Sequence, residues 1–535
     1  MTTVTPYRST ARDARDGFGQ LLHAEWTKFR TVRGWVIAMI VAVLITVGIG
    51  VLVAESRATV TCQAQGGPIQ HGAACGQPVV TLGPGGEPVK DQFYFVRQPL
   101  AGNGSITAQV TSLTGLRPSA SLGSGPSPRQ RGLVPWSKAG LIISDGTSQG
   151  AAYAATMVTG GNGVRMQWNY TGDTAGLPGA VSAVSPRWLR LTRDGAVITG
   201  YDSADGTHWT RIGTVTLAGL PSTVQAGFFT TSPPDAKYSS SFATGNTFSG
   251  PSEATAVFDD ISRTGSWPAS TWTGDYVGGG ASEIAQGLGG YHQSAGQFTV
   301  SGSGDIAPVI AGPGQADGFA FSIWDYLVGT FLGLIAVAVV ATMFMTAEYR
   351  RGLIRSTLTA SPKRGRVLAA KAIVIASTAF VTGLAAAAGA VLIATEIAQS
   401  NGSSLFPVPW PTELRMIVGT AALIAVAAVF TLAIASMVRR SAAAILIAIA
   451  TVAVPFFLAA TSALPVGVAD WLMRVTPAAA FALQQPEPAY YQVQASYTPA
   501  AGFYPLAPWT GFAVLCGWTA LALILAAYLL RRRDA

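Results

Sequence analysis

Leu22, Trp26 and Phe29 recur at i, i+4 and i+7, with Leu21 beside them, while His23, Lys28 and Arg30 take the other side. That spacing predicts an amphipathic helix with its bulky face in a membrane interface and its cations near headgroups. A second charged stretch, Glu348-Tyr-Arg-Arg-Gly-Leu-Ile-Arg355, precedes a Ser361-Pro362 break and a basic run that ends at Lys371. It predicts a helical end, a turn and a second helix, because the residue before a proline avoids the helical region. Asp259-Asp260 is the adjacent acidic pair of the middle segment. A retaining glycosidase needs two carboxylates addressing one bond, and neighbours on a strand point to opposite faces. Asp259 and Asp260 are therefore weak metal candidates at most, and a solvated strand end is the simpler reading. His71, His208 and His292 show no metal-ligand spacing.

Nucleotide chemistry is excluded by the lysines. A phosphate-cradling loop requires Gly-Lys before Ser or Thr, and none of the 6 lysines (28, 90, 138, 237, 363 and 371) follows a glycine. No cofactor is expected on this chain.

The elements that must position these residues are of two kinds. Apolar runs long enough to cross a bilayer need about 20 residues, and they occur at 35–53, 324–345, 370–394, 416–438, 442–460 and 509–530. The basic leader before the first run is long, so that run reads as a retained anchor rather than a signal peptide. Lys28, Arg30 and Arg33, the cluster from Arg350 to Lys371, Arg439 with Arg440, and Arg531 to Arg533 all fall on one side of a six-span plan. Both termini are then cytoplasmic by the positive-inside rule, and residues 55–320 lie outside. The segments assigned to the inside carry 18 Lys and Arg against 5 Asp and Glu, whereas residues 55–325 carry 14 against 17. The basic balance therefore reports membrane orientation and excludes nucleic acid as a partner. The span interiors hold almost no ionisable residues, which argues against a proton-coupled carrier. The Ala, Gly and Arg excess over Lys points to a bacterial source.

Residues 55–320 alternate short runs rich in Val, Ile, Thr and aromatics with turn signals. The clearest stretch, Arg187 to Leu217, contains Asp194-Gly195 and Asp205-Gly206, hairpin signals because glycine tolerates positive φ. Many antiparallel strands without helical period predict an all-β sandwich. Cys62 and Cys75 in this segment are a candidate disulfide, worth about 3 kcal/mol by loop closure, two free thiols in a Gly-rich linker being the alternative. Residues 262–320, richer in Gly and Ser, read as a stalk or as an extension of the sandwich.

The run Trp136-Ser-Lys-Ala-Gly-Leu-Ile-Ile143, the segment Ser105-Ile-Thr-Ala-Gln-Val110, Trp188-Leu-Arg-Leu191 and the loop Tyr201 to Trp209 resemble the concanavalin-like jelly roll over about 93–261. The resemblance implies that fold, with a glycan or envelope partner as an expectation.

Glu25-Trp-Thr-Lys28 before the first span and Glu348-Tyr-Arg-Arg-Gly-Leu-Ile-Arg355 after the second resemble the integral-membrane permease of type-2 ABC exporters (ABC-2). The resemblance implies a coupling helix after the second span, docking on a separate ATPase subunit that binds the ATP. Glu348, Arg351 and Arg355 would make the polar contacts, and Gly352 would permit close approach. Leu22, Trp26 and Phe29 would pass closure of the ATPase to span one. Six spans imply a homodimer or a pair with a paralogue, and the cargo would be hydrophobic, amphipathic or lipid-like, moved outward. The insertion of residues 55–320 departs from shorter members. The rival readings are a membrane-anchored lectin or adhesion protein, for which one span would suffice, and a polytopic envelope transferase. The latter would have only Asp470, Arg474 and Glu487 in the loop 464–508.

Overall fold

The computed structural model describes residues 17–56, 61–63, 69–71, 81–118, 129–241, 244–268, 271–278, 288–310, 322–350, 363–401, 405–461, 463–494 and 497–532. Among them, 6 helices are long and apolar enough to cross a membrane: Arg33–Glu55, Ile323–Tyr349, Arg364–Ser400, Trp410–Val438, Ser441–Ala460 and Pro508–Arg532. These are spans 1 to 6 in chain order. A leader helix, Phe18–Thr31, precedes them. The Lys- and Arg-rich ends meet at one end of the bundle. There the Arg439 guanidinium lies over the Tyr349 ring at 5.1 Å, and Arg364 donates to the carbonyl of Leu530.

Span 4 is the centre of the bundle. Its most apolar window is 78% buried, against 22% for spans 1 and 6, which present their apolar faces outward. In a bilayer, helices gain little from hiding apolar area from lipid, so small residues that let backbones approach decide the contacts. A Cβ at Gly383 of span 3 would lie 2.9 Å from the Ala421 Cα of span 4, and one at Gly329 would lie 2.7 Å from the Thr46 carbonyl of span 1. Span 5 carries a π-helical turn at Ile449–Ala453 directly before Val454–Ala460. Pro455 lacks an N–H and crowds the carbonyl four residues back, and a widened turn absorbs the misfit.

The sequence reads 464–508 as an external loop, whereas the structure folds part of it into the bundle. Helix Val466–Val475 and the tight helix Pro477–Gln484 form a pair bent by 101°, apolar enough for a broken span or a re-entrant loop. Pro477 enforces the bend, and Thr476 before it is extended at φ −88° and ψ 162°. All eight residues of Pro477–Gln484 are buried. A Cβ at Gly511 of span 6 would lie 2.2 Å from the Ala479 carbonyl, and one at Gly419 of span 4 would lie 3.1 Å from Leu483 Cβ.

Between spans 1 and 2 lies an antiparallel β-sandwich dominated by one 14-stranded sheet. Its spine is the strand Phe93–Pro118. The first part of this strand pairs with Thr223–Thr231 and Thr273–Val277, and the later part with Arg187–Asp194 and Glu253–Ser266. The change of partner falls at Gly102, whose φ of +67° only glycine adopts without strain. One strand thereby serves both layers. Leu189, Leu191 and Ile198 from one layer pack with Leu141, Ile143, Val158 and Phe228 from the other, following the period-two alternation that a half-buried strand requires. Gly195 and Gly206 take φ +61° and +76° at the two Asp-Gly turns. The region after 261 is sandwich rather than stalk: Thr273–Val277, Gly290–Ser294 and Gln297–Gly302 belong to the same sheet.

The sandwich sits on the segment that joins span 5 to span 6. Gln492 Nε2 donates to the carbonyls of Thr171 at 3.1 Å and Tyr170 at 3.4 Å. Ala307 and Ile310 of the sandwich side pack with Val493 and Phe503.

Candidate coupling site

The leader helix packs one face inward. Glu25 and Phe29 are buried on it, one turn apart, and Leu22 packs against the same core. Trp26 points away, with 41% of its surface exposed. Phe29 meets Phe344 of span 2 edge-on at 5.6 Å, and Trp35 at the start of span 1 meets the same ring at 5.4 Å. Phe344 and Glu348 are one helical turn apart, so the residue that anchors this aromatic cluster also directs Glu348 toward the leader helix.

At that point four side chains close a ring. Lys371 Nζ lies 2.7 Å from Glu25 Oε2 and 2.9 Å from Glu348 Oε1, and Lys28 Nζ lies 2.7 Å from Glu25 Oε1 and 2.9 Å from Glu348 Oε1. Glu25 is 0% exposed, Glu348 6% and Lys371 1%. The two carboxylates and two ammoniums alternate and cancel, which removes most of the cost of burying each charge alone. Lys371 also stands 4.5 Å over the Phe344 ring, a cation–π contact that strengthens when the cation is desolvated. Glu348 Oε2 is buried with no hydrogen-bond partner. Burial opposes the charge on Lys28, but the Glu25 and Glu348 carboxylates outweigh it and hold that ammonium above its ordinary value.

The ring corrects two expectations. The bundle does contain a buried cation: Lys371, read as part of the basic connecting run, lies on the inward face of span 3 beside Leu368 and Ile375. Glu348, expected as a polar docking contact, is enclosed by Lys28 and Lys371. Arg351, Gly352 and Arg355 lie outside the described residues, in the segment that joins Glu348 to the start of span 3. Glu25 and Lys371 were missed as site residues. Their signal was a single acid and a single lysine, each in register with an inward apolar stripe.

The other candidates are separate from this end. Asp259 Oδ2 accepts from Gln297 Nε2 at 3.1 Å, and its Oδ1 accepts from the Asp260 backbone N–H at 2.9 Å. Asp260 has φ +46° in the irregular register before Ser262. Among the described residues, no group of three or more His, Cys, Asp or Glu could hold a metal. Cys62 falls on strand Thr61–Gln63, paired with Ile69–His71; its side chain and all of Cys75 lie outside the described residues.

A six-helix bundle with an inserted sandwich and an organised basic end defines a multi-pass membrane protein. The chain belongs to the ABC-2 family transporter proteins, whose family model matches residues 197–535. That stretch takes in spans 2 to 6 and the later half of the sandwich, while the leader helix and span 1 precede it. Members of the family are the membrane-spanning component of ABC transporters and not the catalytic one. No curated protein matches the chain.

Solved structures overlap it weakly. The GH43 BlXynB protein from Bacillus licheniformis is 15% identical with TM-score 0.17, covering 24% of this chain and 24% of that one. This chain thus spans about a quarter of that protein's length. Scytalido-glutamic peptidase with a transition state analog inhibitor is 11% identical with TM-score 0.23, covering 41% of this chain and 100% of that one. Basic winged bean lectin with Tn-antigen is 10% identical with TM-score 0.16, covering 29% of this chain and 80% of that one. Overlaps this small say nothing about what the sandwich binds.

Proposed function

We propose that this chain is the permease of an exporter whose ATPase is a separate chain, docked on the Lys- and Arg-rich end of the bundle around residues 347–371. One observation carries the reading. The leader helix, the end of span 2 and the start of span 3 are joined by the ring of Glu25, Lys28, Glu348 and Lys371. A push on the segment between Glu348 and span 3 would therefore reach span 1 through charged contacts rather than through loose packing. Arg351 and Arg355 are the docking contacts in this proposal, Gly352 allows close approach, and Glu348 relays the load. Trp26, left outward, would lie in the interfacial lipid.

The remaining assignments rest on the positive-inside rule, the six spans and the family match. The basic end and both termini face the cytoplasm of a bacterial cell, and the sandwich faces outward. ATP binds on the partner, and two copies, or this chain with a paralogue, complete the twelve-helix assembly. The cargo is hydrophobic, amphipathic or lipid-like, and it moves outward.

Affinity purification of the full chain from native membranes should bring down a soluble ATPase. An Arg351→Glu/Arg355→Glu variant that still inserts should lose it, and an unchanged pull-down would remove the docking assignment. In a background with Cys62, Cys75 and Cys516 replaced by Ser, a Cys at position 355 should react with an impermeant maleimide only after permeabilisation. Reaction in intact cells would refute the orientation.

A further inference from the structure

A cleft of about 460 Å³ opens where the sandwich meets the membrane bundle. Its sandwich wall is 85–88 with Pro308 and Val309, a corner pinned by the Val309 N–H donating to the Pro88 carbonyl at 2.9 Å. Its bundle wall is the lead-in to span 4, 406–409 with Thr412, and the segment 486–490 that leaves the buried turn. The volume falls in the range of sites for small organic molecules.

Two properties of the lining select a ligand class. The walls are apolar and stiff: Val309, Phe406, Val408 and Tyr490 share them with 6 prolines. Proline's fixed φ and missing N–H leave few backbone donors and little freedom to collapse. The charge is of one sign. Glu87 and Glu487 line the cleft, and no Lys, Arg or His does among the described residues. Glu87 Oε1 is buried without a hydrogen-bond partner, and Glu487 is only 8% exposed. Burial first, then the Glu487 and Glu87 carboxylates, push the titration of the Tyr490 hydroxyl up. A carboxylate oxygen buried without a partner is costly, and a cation beside it recovers that cost. A bare metal ion would want three or more protein ligands, and no such group exists among the described residues.

We infer that this cleft binds an organic cation carrying an apolar body, with Glu87 and Glu487 facing the charge and the proline-lined walls enclosing the body. The site is on the sandwich side of the bundle, opposite the ionic ring, and binding there needs neither nucleotide nor the ATPase. Its failure would therefore leave the proposed coupling untouched.

The test uses the purified full chain in maltoside micelles, titrated calorimetrically with tetraphenylphosphonium and with tetraphenylborate, two ions of one shape and opposite charge. The phosphonium should bind above the micelle blank, and the borate should not. Glu87→Gln with Glu487→Gln should weaken the phosphonium by about tenfold or more. Val408→Trp, which fills the cleft and keeps both charges, should weaken it as well and decides the matter if the Gln pair fails to fold. Equal binding of the two ions, or binding indifferent to either variant, would overturn the inference. Dihexanoyl phosphatidylcholine separates two sources of the same chemistry: displacement of the probe marks a lipid headgroup as occupant, and no displacement marks a free cation.

Discussion

Lys371 and Glu25 stand 346 positions apart in the chain and meet at 2.7 Å, with 1% and 0% of their side chains exposed. Phe344 of span 2 lies between them: its ring meets Phe29 of the leader helix at 5.6 Å and lies under the Lys371 ammonium at 4.5 Å. An ion pair excluded from water has two states rather than a continuum: made, or broken at high cost. That makes it a stiff joint between the leader helix and span 3.

Removing one member should be worse than removing two. Lys371→Met leaves Glu25 and Glu348 sharing a single ammonium, and the loss should be about 3–5 kcal/mol, typical of an orphaned buried charge. Glu25→Leu with Lys371→Met leaves the Lys28–Glu348 pair balanced and should recover more than half of that loss. Unfolding of the purified variants in mixed micelles measures both. Simple additivity of the two losses would show that the four side chains do not act as a ring.

Lys28 predicts an alkaline limit. Its folded-state value is raised above 10.5 because the two carboxylates outweigh burial. A raised basic group contributes stability that is fully present below its unfolded value and is lost as pH climbs through the folded one. Thermal unfolding of the wild type should thus be level in this respect up to about pH 10 and fall beyond it. Lys28→Met should be less stable than wild type at pH 8, with the gap narrowing above pH 10.5. A gap that stays constant with pH would mean that the Lys28 charge adds nothing.

The spans were legible because twenty apolar residues in a row have few other uses. The sandwich was legible in its Asp-Gly turns and alternating strands. The bent pair was not, since each limb falls short of a spanning length and Pro477 interrupts the period between them. The ring was half legible. Glu348 stood out in a charged motif, but Lys371 counted as one more cation of a basic run, and Glu25 as part of a leader motif. A one-letter string does not say which of several charges turns inward. The decision came from register with Phe29, Phe344, Leu368 and Ile375, residues that the inserted sandwich and two helices separate in sequence.

Gly227 predicts a test of the sandwich independent of the membrane. It lies mid-strand between Arg97 and Ile142, and a Cβ there would stand 2.0 Å from the Val96 carbonyl and 2.9 Å from the Arg97 Cα. Both obstacles are backbone, so no rotamer change relieves them, and Gly227→Ala should cost about 3 kcal/mol, the upper end for overpacking. Limited proteolysis of the full chain should then cut within 93–302 while the spans stay protected. A protease-resistant sandwich in that variant would contradict the tight pairing of Phe93–Pro118 with Thr223–Thr231.

Asp91 predicts that the sandwich responds to mild acid. The residue is 3% exposed, and burial pushes its carboxyl from 3.8 up to about 6, although Tyr170 and the Gly150 N–H, which donates at 3.0 Å, pull the other way. A raised acid binds its proton more tightly when folded than when unfolded, so stability is greatest at low pH and declines as pH rises between about 4 and 6. At about 1.36 kcal/mol per pH unit the decline is about 3 kcal/mol at most, and smaller if the domain relaxes around the charge. Asp91→Asn keeps an oxygen for the Gly150 N–H and removes the ionisation. The variant should therefore show no decline over that interval and should exceed the wild type in unfolding temperature at pH 7. Hydrogen exchange at the Gly150 amide reads the same event locally, slowing in the variant at pH 7. If wild type and variant instead run parallel from pH 4 to 7, Asp91 is ionised throughout, and the enclosure described for it is wrong.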